Sequence, residues 1–118
     1  HELIKKQTIE LVAAMGAEAS MHIDVGYPFV LNDEALNAFA REKGEDYIGA
    51  ENVETTELRM GAEDFAYYSH QIPGCFFRIG AGNKAKGITS GVHTPTFNID
   101  ESMIEMGIGF MAYLGAEA

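Results

Sequence analysis

The sequence predicts a domain of the α/β class, because segments with helical periodicity alternate with segments typical of strands. Residues 2–15 have apolar side chains at helical spacing, and residues 19–25 alternate apolar and polar side chains as a half-buried strand does. Residues 75–79 form an apolar, β-prone run typical of an interior strand, and residues 101–114 have the pattern of a last helix.

The composition is globular and argues against several classes of partner. The chain has 118 residues, of which 47% are hydrophobic, and 18 acidic against 8 basic side chains give a net charge of −10. Nucleic-acid binding needs a surplus of Lys and Arg, and no apolar run approaches the ~18 residues of a membrane span. A single cysteine, Cys75, cannot form an internal disulfide. We therefore expect a cytoplasmic protein with neither a nucleic-acid nor a membrane partner.

The breaks between elements follow from residues with known terminal preferences. Gly16 is expected to end the first helix. Asn32 and Asp33 are both good N-caps for a second helix, which is predicted to stop near Gly44. Residues 53–58 are then predicted as a strand.

The last half of the chain is rich in turns. A short helical run is predicted from Met60 to Tyr68, and residues 80–92 form a glycine-rich loop. His93-Thr94-Pro95 is predicted to be extended, since a residue before proline avoids the α region. Asp100 can cap the helix over residues 101–114, whose apolar side chains cover more than one face and predict packing on two sides.

A domain boundary is predicted near residues 26–33. The helix and the single strand before it cannot form a core alone. Residues 1–25 are therefore expected to be the tail of another domain, and the start at His1, without a Met, suggests a piece of a longer protein.

His93 is the first candidate for chemistry, because it follows a glycine-rich loop and lies on a stretch stiffened by proline. A surface or capped histidine is the competing interpretation, since a zinc site needs several ligands and the sequence contains neither an HExxH nor a CxxC motif.

The adjacent carboxylates Glu63 and Asp64 are the second candidate, as groups that face a substrate or a metal. The dipole of the helix that begins there explains them fully, and on spacing alone this interpretation is preferred. The loop over residues 80–87 only superficially resembles a phosphate-binding loop, and the apolar surroundings of Cys75 favour an inert thiol.

Three ordered motifs nevertheless resemble a known family. They are Met60-Gly61-Ala62-Glu63-Asp64-Phe65-Ala66, Ile72-Pro73-Gly74-Cys75-Phe76-Phe77-Arg78-Ile79-Gly80, and His93-Thr94-Pro95 followed by Phe97 and Asp100-Glu101. Together they are similar to the C-terminal part of the metal-dependent amidohydrolases. That aminoacylase-like branch of the carboxypeptidase G superfamily includes hippurate hydrolase, N-acyl-amino-acid amidohydrolase and the auxin-conjugate hydrolases.

The resemblance implies a two-domain enzyme with two divalent metal ions (zinc, manganese, cobalt or nickel). Residues 1–28 would be the last helix and strand of a ferredoxin-like lid, which often makes a homodimer contact. Residues 29–118 would be the C-terminal part of a zinc-peptidase-like α/β catalytic domain.

The resemblance carries over few site residues. His93 matches the family's C-terminal metal-binding histidine, and Glu63 and Asp64 match a segment near the substrate pocket. The other ligands and the general-base glutamate would lie upstream, so that no catalytic residue is expected in this chain, which would be inactive alone.

The expected function is hydrolysis of the amide bond of N-acyl or N-aroyl amino acids or small peptides. The alternatives are a dipeptidase, a deacetylase of an amino-acid precursor, or a non-catalytic acidic α/β module that binds a partner.

Overall fold

The structure is a computed structural model that describes all 118 residues, and it is helical. Its four α-helices are α1 (Glu2–Ala14), α2 (Glu34–Ile48), α3 (Ala66–Ser69) and α4 (Ser102–Glu117). Two single turns of 3-10 helix lie at Ala50–Asn52 and Lys84–Lys86. No strand is present, and the β-type pairing is limited to one isolated bridge between Asn83 and Ile88. The predicted α/β class is therefore wrong for this structure.

The physical reason is that a strand exists only where a second strand pairs with it. Residues 19–25, 53–58 and 75–79 find no partner, so none of them becomes a strand. Within the first of these segments Met21 and Ile23 are half-buried and His22 and Asp24 are exposed, but Val25 of the predicted apolar face is 76% exposed. The alternation thus identified only part of the covered face and no sheet.

The molecule is extended. Its dimensions are 62 × 37 × 20 Å and its radius of gyration is 20.6 Å, against about 13.5 Å for a compact domain of this length. Its accessible surface is 9692 Å², against about 6,300 Å² for a compact protein of this mass. Because only 4 of 118 residues are buried, the chain does not enclose the core that its composition led us to expect.

Helix α1 has no buried residue and packs on no other helix. It ends as predicted, since Gly16 follows it in a left-handed conformation (φ +78°) and donates its N–H to the carbonyl of Ala13. Leu11 and Met15 remain largely exposed. The amphipathic pattern therefore predicted the helix correctly, but no other helix covers its apolar face.

The small core lies where α2 crosses α4. Tyr47 of α2 packs against Phe110 and Tyr113 of α4, with ring centroids 5.7 and 5.4 Å apart, and Phe77 contacts Phe110 from the other side at 5.3 Å. Gly44 does not end α2 as predicted; it is buried in this contact, facing the Phe110 ring. The helix continues for one more turn.

Helix α4 packs on one side, not on the two that were predicted. Ile104, Ile108 and Met111 on the other side are 52, 67 and 58% exposed. With Ile79 and Ile99 they line an open apolar groove. None of the helices combines the length and the apolar character needed to cross a lipid bilayer.

Candidate functional site

Asp100 closes the base of the loop that carries His93. Its backbone N–H donates to the carbonyl of Ala81 at 2.8 Å. Its carboxylate, in a residue that is 6% exposed, accepts from Lys86 Nζ at 2.8 Å, from Asn83 Nδ2, and from Ser102 Oγ at 2.9 Å. These donors, Lys86 first, hold the pKa of Asp100 well below its usual range. The same carboxylate also accepts the Ser102 backbone N–H at 3.3 Å, so Asp100 bonds to the first turn of α4 from one residue before the N-cap, which is Glu101.

The glycine-rich part of the loop is a closed turn. Asn83 and Ile88 exchange both backbone hydrogen bonds at 2.8 Å, and the side chain of Asn83 accepts the N–H of Lys86 at 3.2 Å. Since the ammonium of Lys86 is bound to Asp100, it is not free to hold a phosphate. The phosphate-binding interpretation therefore gains no support from the structure.

His93 lies on a tight turn just beyond. Its backbone is left-handed (φ +63°), the one residue other than glycine with a positive φ, so the predicted extended conformation is wrong at this position. The turn is closed by a hydrogen bond between the hydroxyls of Ser90 and Thr96 at 2.8 Å, and by one from Thr94 Oγ1 to the carbonyl of Gly91 at 2.8 Å.

The imidazole of His93 is exposed, and no hydrogen bond occupies either ring nitrogen. The other internal histidines are engaged, since His22 binds the carboxylate of Asp24 at 2.8 Å and His70 binds the carbonyl of Phe29 at 2.7 Å. The His93 ring thus has the chemistry of one metal ligand. No group of three or more His, Cys, Asp or Glu side chains that could hold a metal occurs in the chain, so its residues do not form a metal centre by themselves.

The carboxylates of Glu63 and Asp64 are not brought to His93. Glu63 is half-buried and accepts the N–H of Phe65 at 3.5 Å, while Asp64 is exposed. No ion pair or hydrogen bond joins either side chain to the His93 loop. Their place just before α3 agrees with the helix-dipole interpretation and leaves the substrate-pocket role a prediction.

One connection that sequence reasoning missed links the start of α2 to the motif over residues 72–80. Asn32 Nδ2 donates to the carbonyl of Phe76 at 2.9 Å, and Asn32 Oδ1 accepts the N–H of Phe76 at 2.8 Å. Asp33 is the actual N-cap of α2, with its carboxylate accepting the N–H of Leu36 at 2.9 Å. A helix needs only one cap residue, so the adjacent pair of capping residues was a signal that one of them was available for another contact.

Cys75 lies beside this connection. It is half-buried, and its Sγ is 3.7 Å from the amide groups of Asn32 and Asn37. Burial raises the pKa of the thiol. A cysteine in this environment, without a histidine against it, agrees with the predicted inert thiol.

The comparisons with known proteins found a family and several relatives. The family model described as peptidase family M20/M25/M40 matches residues 4–117. The IAA-amino acid hydrolase ILR1-like 4 of Arabidopsis thaliana is 35% identical over 86 residues, which cover 73% of this chain and 20% of the relative. ILR1-like 6 of the same plant is 31% identical over 108 residues, covering 88% and 23%. The uncharacterized hydrolase y4tI of Sinorhizobium fredii is 32% identical over 100 residues, covering 84% and 24%.

The chain therefore spans less than a quarter of the length of these relatives. No solved structure matches it. The family match includes all three motifs on which the resemblance to the amidohydrolases rested, and the resemblance is confirmed. The chain belongs to the peptidase family M20/M25/M40.

Proposed function

We propose that this chain supplies His93 as one metal ligand of a hydrolase that cleaves the amide bond of N-acyl amino acids or small peptides. Members of the family typically bind metal ions. The observation that carries the proposal is the His93 ring, which is exposed and unpartnered on a turn closed by its own hydrogen bonds. Two divalent ions, when bound, would activate water and polarise the amide carbonyl.

The contribution of this chain is to present one imidazole in a fixed place. A histidine coordinates only in its neutral form, so metal binding is expected to weaken in acid. Asp64, with its exposed carboxylate, and Glu63 are proposed to border the substrate pocket. The general base and the remaining ligands are proposed to come from residues outside this chain.

The names of the relatives favour amino-acid conjugates as the substrate class. Two of them are called IAA-amino acid hydrolases, which supports an N-acyl amino acid more than a dipeptide or an amino-acid precursor. We also propose a cytoplasmic location and a homodimer contact through residues 1–28. The contact is supported by α1, which has no buried residue and no helical neighbour.

The test compares the full-length protein with its His93→Ala variant, with and without a chelator, on hippurate and N-acetyl amino acids. Loss of a residue that merely supports a metal ligand typically reduces activity by about 10- to 100-fold. Loss of the ligand itself should therefore reduce hydrolysis by more than about 100-fold. His70→Ala is the matched control, because His70 is exposed and lies outside residues 1–28, and its imidazole hydrogen-bonds only to the carbonyl of Phe29. Wild-type activity and metal content in His93→Ala would refute the assignment.

A second measurement concerns the 118-residue chain on its own. It is expected to show no hydrolysis, since one imidazole cannot hold a hydrolytic metal. Chelator-sensitive hydrolysis by this chain would contradict the division of the site that we propose.

A further inference from the structure

We propose that Asp100 is a positioning residue for His93, because it fastens both ends of the segment that carries the His93 turn. This inference rests on the proposed role of His93 as a metal ligand. Asp100 itself touches neither the imidazole nor a substrate; it acts through the loop.

The first step is the connection of the two loop ends. The segment over residues 88–100 begins at Ile88, which is paired by two backbone hydrogen bonds with Asn83. Asn83 in turn donates its side-chain amide to Asp100, where the segment ends. Both ends of the segment therefore meet at one nearly buried carboxylate. Lys86 binds the same carboxylate from the turn between Asn83 and Ile88.

The second step is that His93 needs such support. A left-handed backbone is unfavourable for a residue with a Cβ and persists only where surrounding contacts impose it. The contacts inside the turn are two hydroxyl bonds and one backbone bond, from the Phe97 N–H to the carbonyl of Thr94 at 3.1 Å, all among exposed or half-buried residues. Closing the segment at Asp100 reduces the number of conformations that compete with this turn.

Asp100 also accepts the Ser102 N–H at the start of α4, so a variant is needed that changes the loop contacts of Asp100 and keeps its contact with the helix. Asp100→Asn keeps an oxygen that can accept from Ser102. It removes the charge that binds Lys86 and places an amide donor against the side-chain amide of Asn83, so that these two side-chain contacts are lost or weakened. The backbone bond from Asp100 to Ala81 remains. Lys86→Gln is a milder variant that leaves the cap untouched, and Asp33→Ala removes the cap of α2 outside the loop.

The experiment measures Zn²⁺ affinity by titration of the full-length protein, in wild type and in the His93→Ala background. Asp100→Asn should weaken Zn²⁺ binding about 10- to 100-fold when His93 is present. It should have no further effect when His93 is alanine. Lys86→Gln should weaken binding several-fold, since this ion pair is partly solvated, and Asp33→Ala should leave it unchanged.

A second readout needs no metal. In the metal-free protein Asp100→Asn should speed hydrogen exchange at the Ile88 amide by about tenfold, because the pair with Asn83 opens more often. The Leu36 amide, bound by Asp33, should exchange as in wild type. This readout detects the loop change even if the variant binds no metal at all.

The outcomes separate this inference from the proposed function. If His93→Ala leaves Zn²⁺ affinity unchanged, the proposed function fails and the positioning role fails with it. If His93→Ala abolishes tight binding but Asp100→Asn has no effect, only the positioning role is overturned. The same holds if Asp100→Asn weakens binding equally in both backgrounds.

Discussion

Replacing Asn32 by alanine should loosen the attachment of the motif over residues 72–80 to the start of α2. The side-chain amide of Asn32 makes two hydrogen bonds to the backbone of Phe76, at 2.8 and 2.9 Å, and thereby takes the place of a neighbouring strand. The methyl group of alanine can make neither bond. The variant tests how strongly the Asn32 side chain holds a segment that the sequence predicted to be held by a sheet, since the backbone bond from the Asp33 N–H to the carbonyl of Gly74 remains.

The magnitude follows from these two bonds. A typical hydrogen bond contributes about 0.5–1.5 kcal/mol net, so losing two should lower the free energy of unfolding by about 1–3 kcal/mol. The upper half of that range is expected, because Phe76 is half-buried and its N–H and carbonyl would lose their partner. Asn32→Asp, which keeps the acceptor and loses the donor, should fall between wild type and Asn32→Ala.

Urea unfolding of the full-length protein measures the loss, and hydrogen exchange at the Phe76 amide reports it locally. Asn98→Ala is the control, since Asn98 is exposed and bonds only to the N–H of its neighbour Ile99; it should change stability by less than about 0.5 kcal/mol. The reasoning is refuted if Asn32→Ala is no less stable than Asn98→Ala, or if the Phe76 amide exchanges at the wild-type rate.

Four further outcomes are expected. Asp33→Ala should cost about 1 kcal/mol in urea unfolding through loss of the α2 cap, whereas Asp33→Asn should cost little. The pKa of Asp100 is lower in the folded than in the unfolded protein, so the ionised carboxylate should stabilise the fold fully above the unfolded pKa of about 3.9. This stabilisation should disappear as the pH falls further. The difference in unfolding free energy between wild type and Asp100→Asn should therefore shrink only below about pH 4. Since burial raises the pKa of Cys75, iodoacetamide should alkylate it more slowly in the folded than in the urea-unfolded protein. His93→Gly should be more stable than His93→Ala by about 1 kcal/mol, and the reverse order would exclude a left-handed residue there.

The helices could be predicted from the sequence because the signals that form them are local. The C-terminal end of α1 and the start of α2 follow from Gly16 and Asp33, each of which bonds to a residue within three positions. The end of α2 could not be predicted in this way. Gly44 has the residue type of a helix stop, but its position is determined by Phe110, more than sixty residues away, against which it packs.

The site was predictable only in part, because some of its contacts join residues that are far apart in the sequence. The local sequence made His93 a candidate, but its expected role as a metal ligand came from the resemblance to a family, since one histidine carries little information by itself. The carboxylate of Asp100 binds side chains 14 and 17 residues before it, and no spacing rule relates them. Asp100 was predicted as a helix cap and does accept the Ser102 N–H in the first turn of α4, but its bonds to Asn83 and Lys86 could be found only from the fold.

The two wrong predictions about apolar packing have one cause. Ile79, from the run predicted as an interior strand, lines the same open groove as Ile104 and Ile108, from the face of α4 predicted to be packed. An apolar pattern identifies which face is suited to burial but not the surface that covers it. In this chain that face meets solvent, and the accessible surface of 9692 Å², about half as much again as a compact protein of this mass exposes, has the same origin. The patterns therefore identified apolar side chains suited to burial, but they did not show that no other part of this chain covers them. Side chains from both wrongly predicted segments line the same groove.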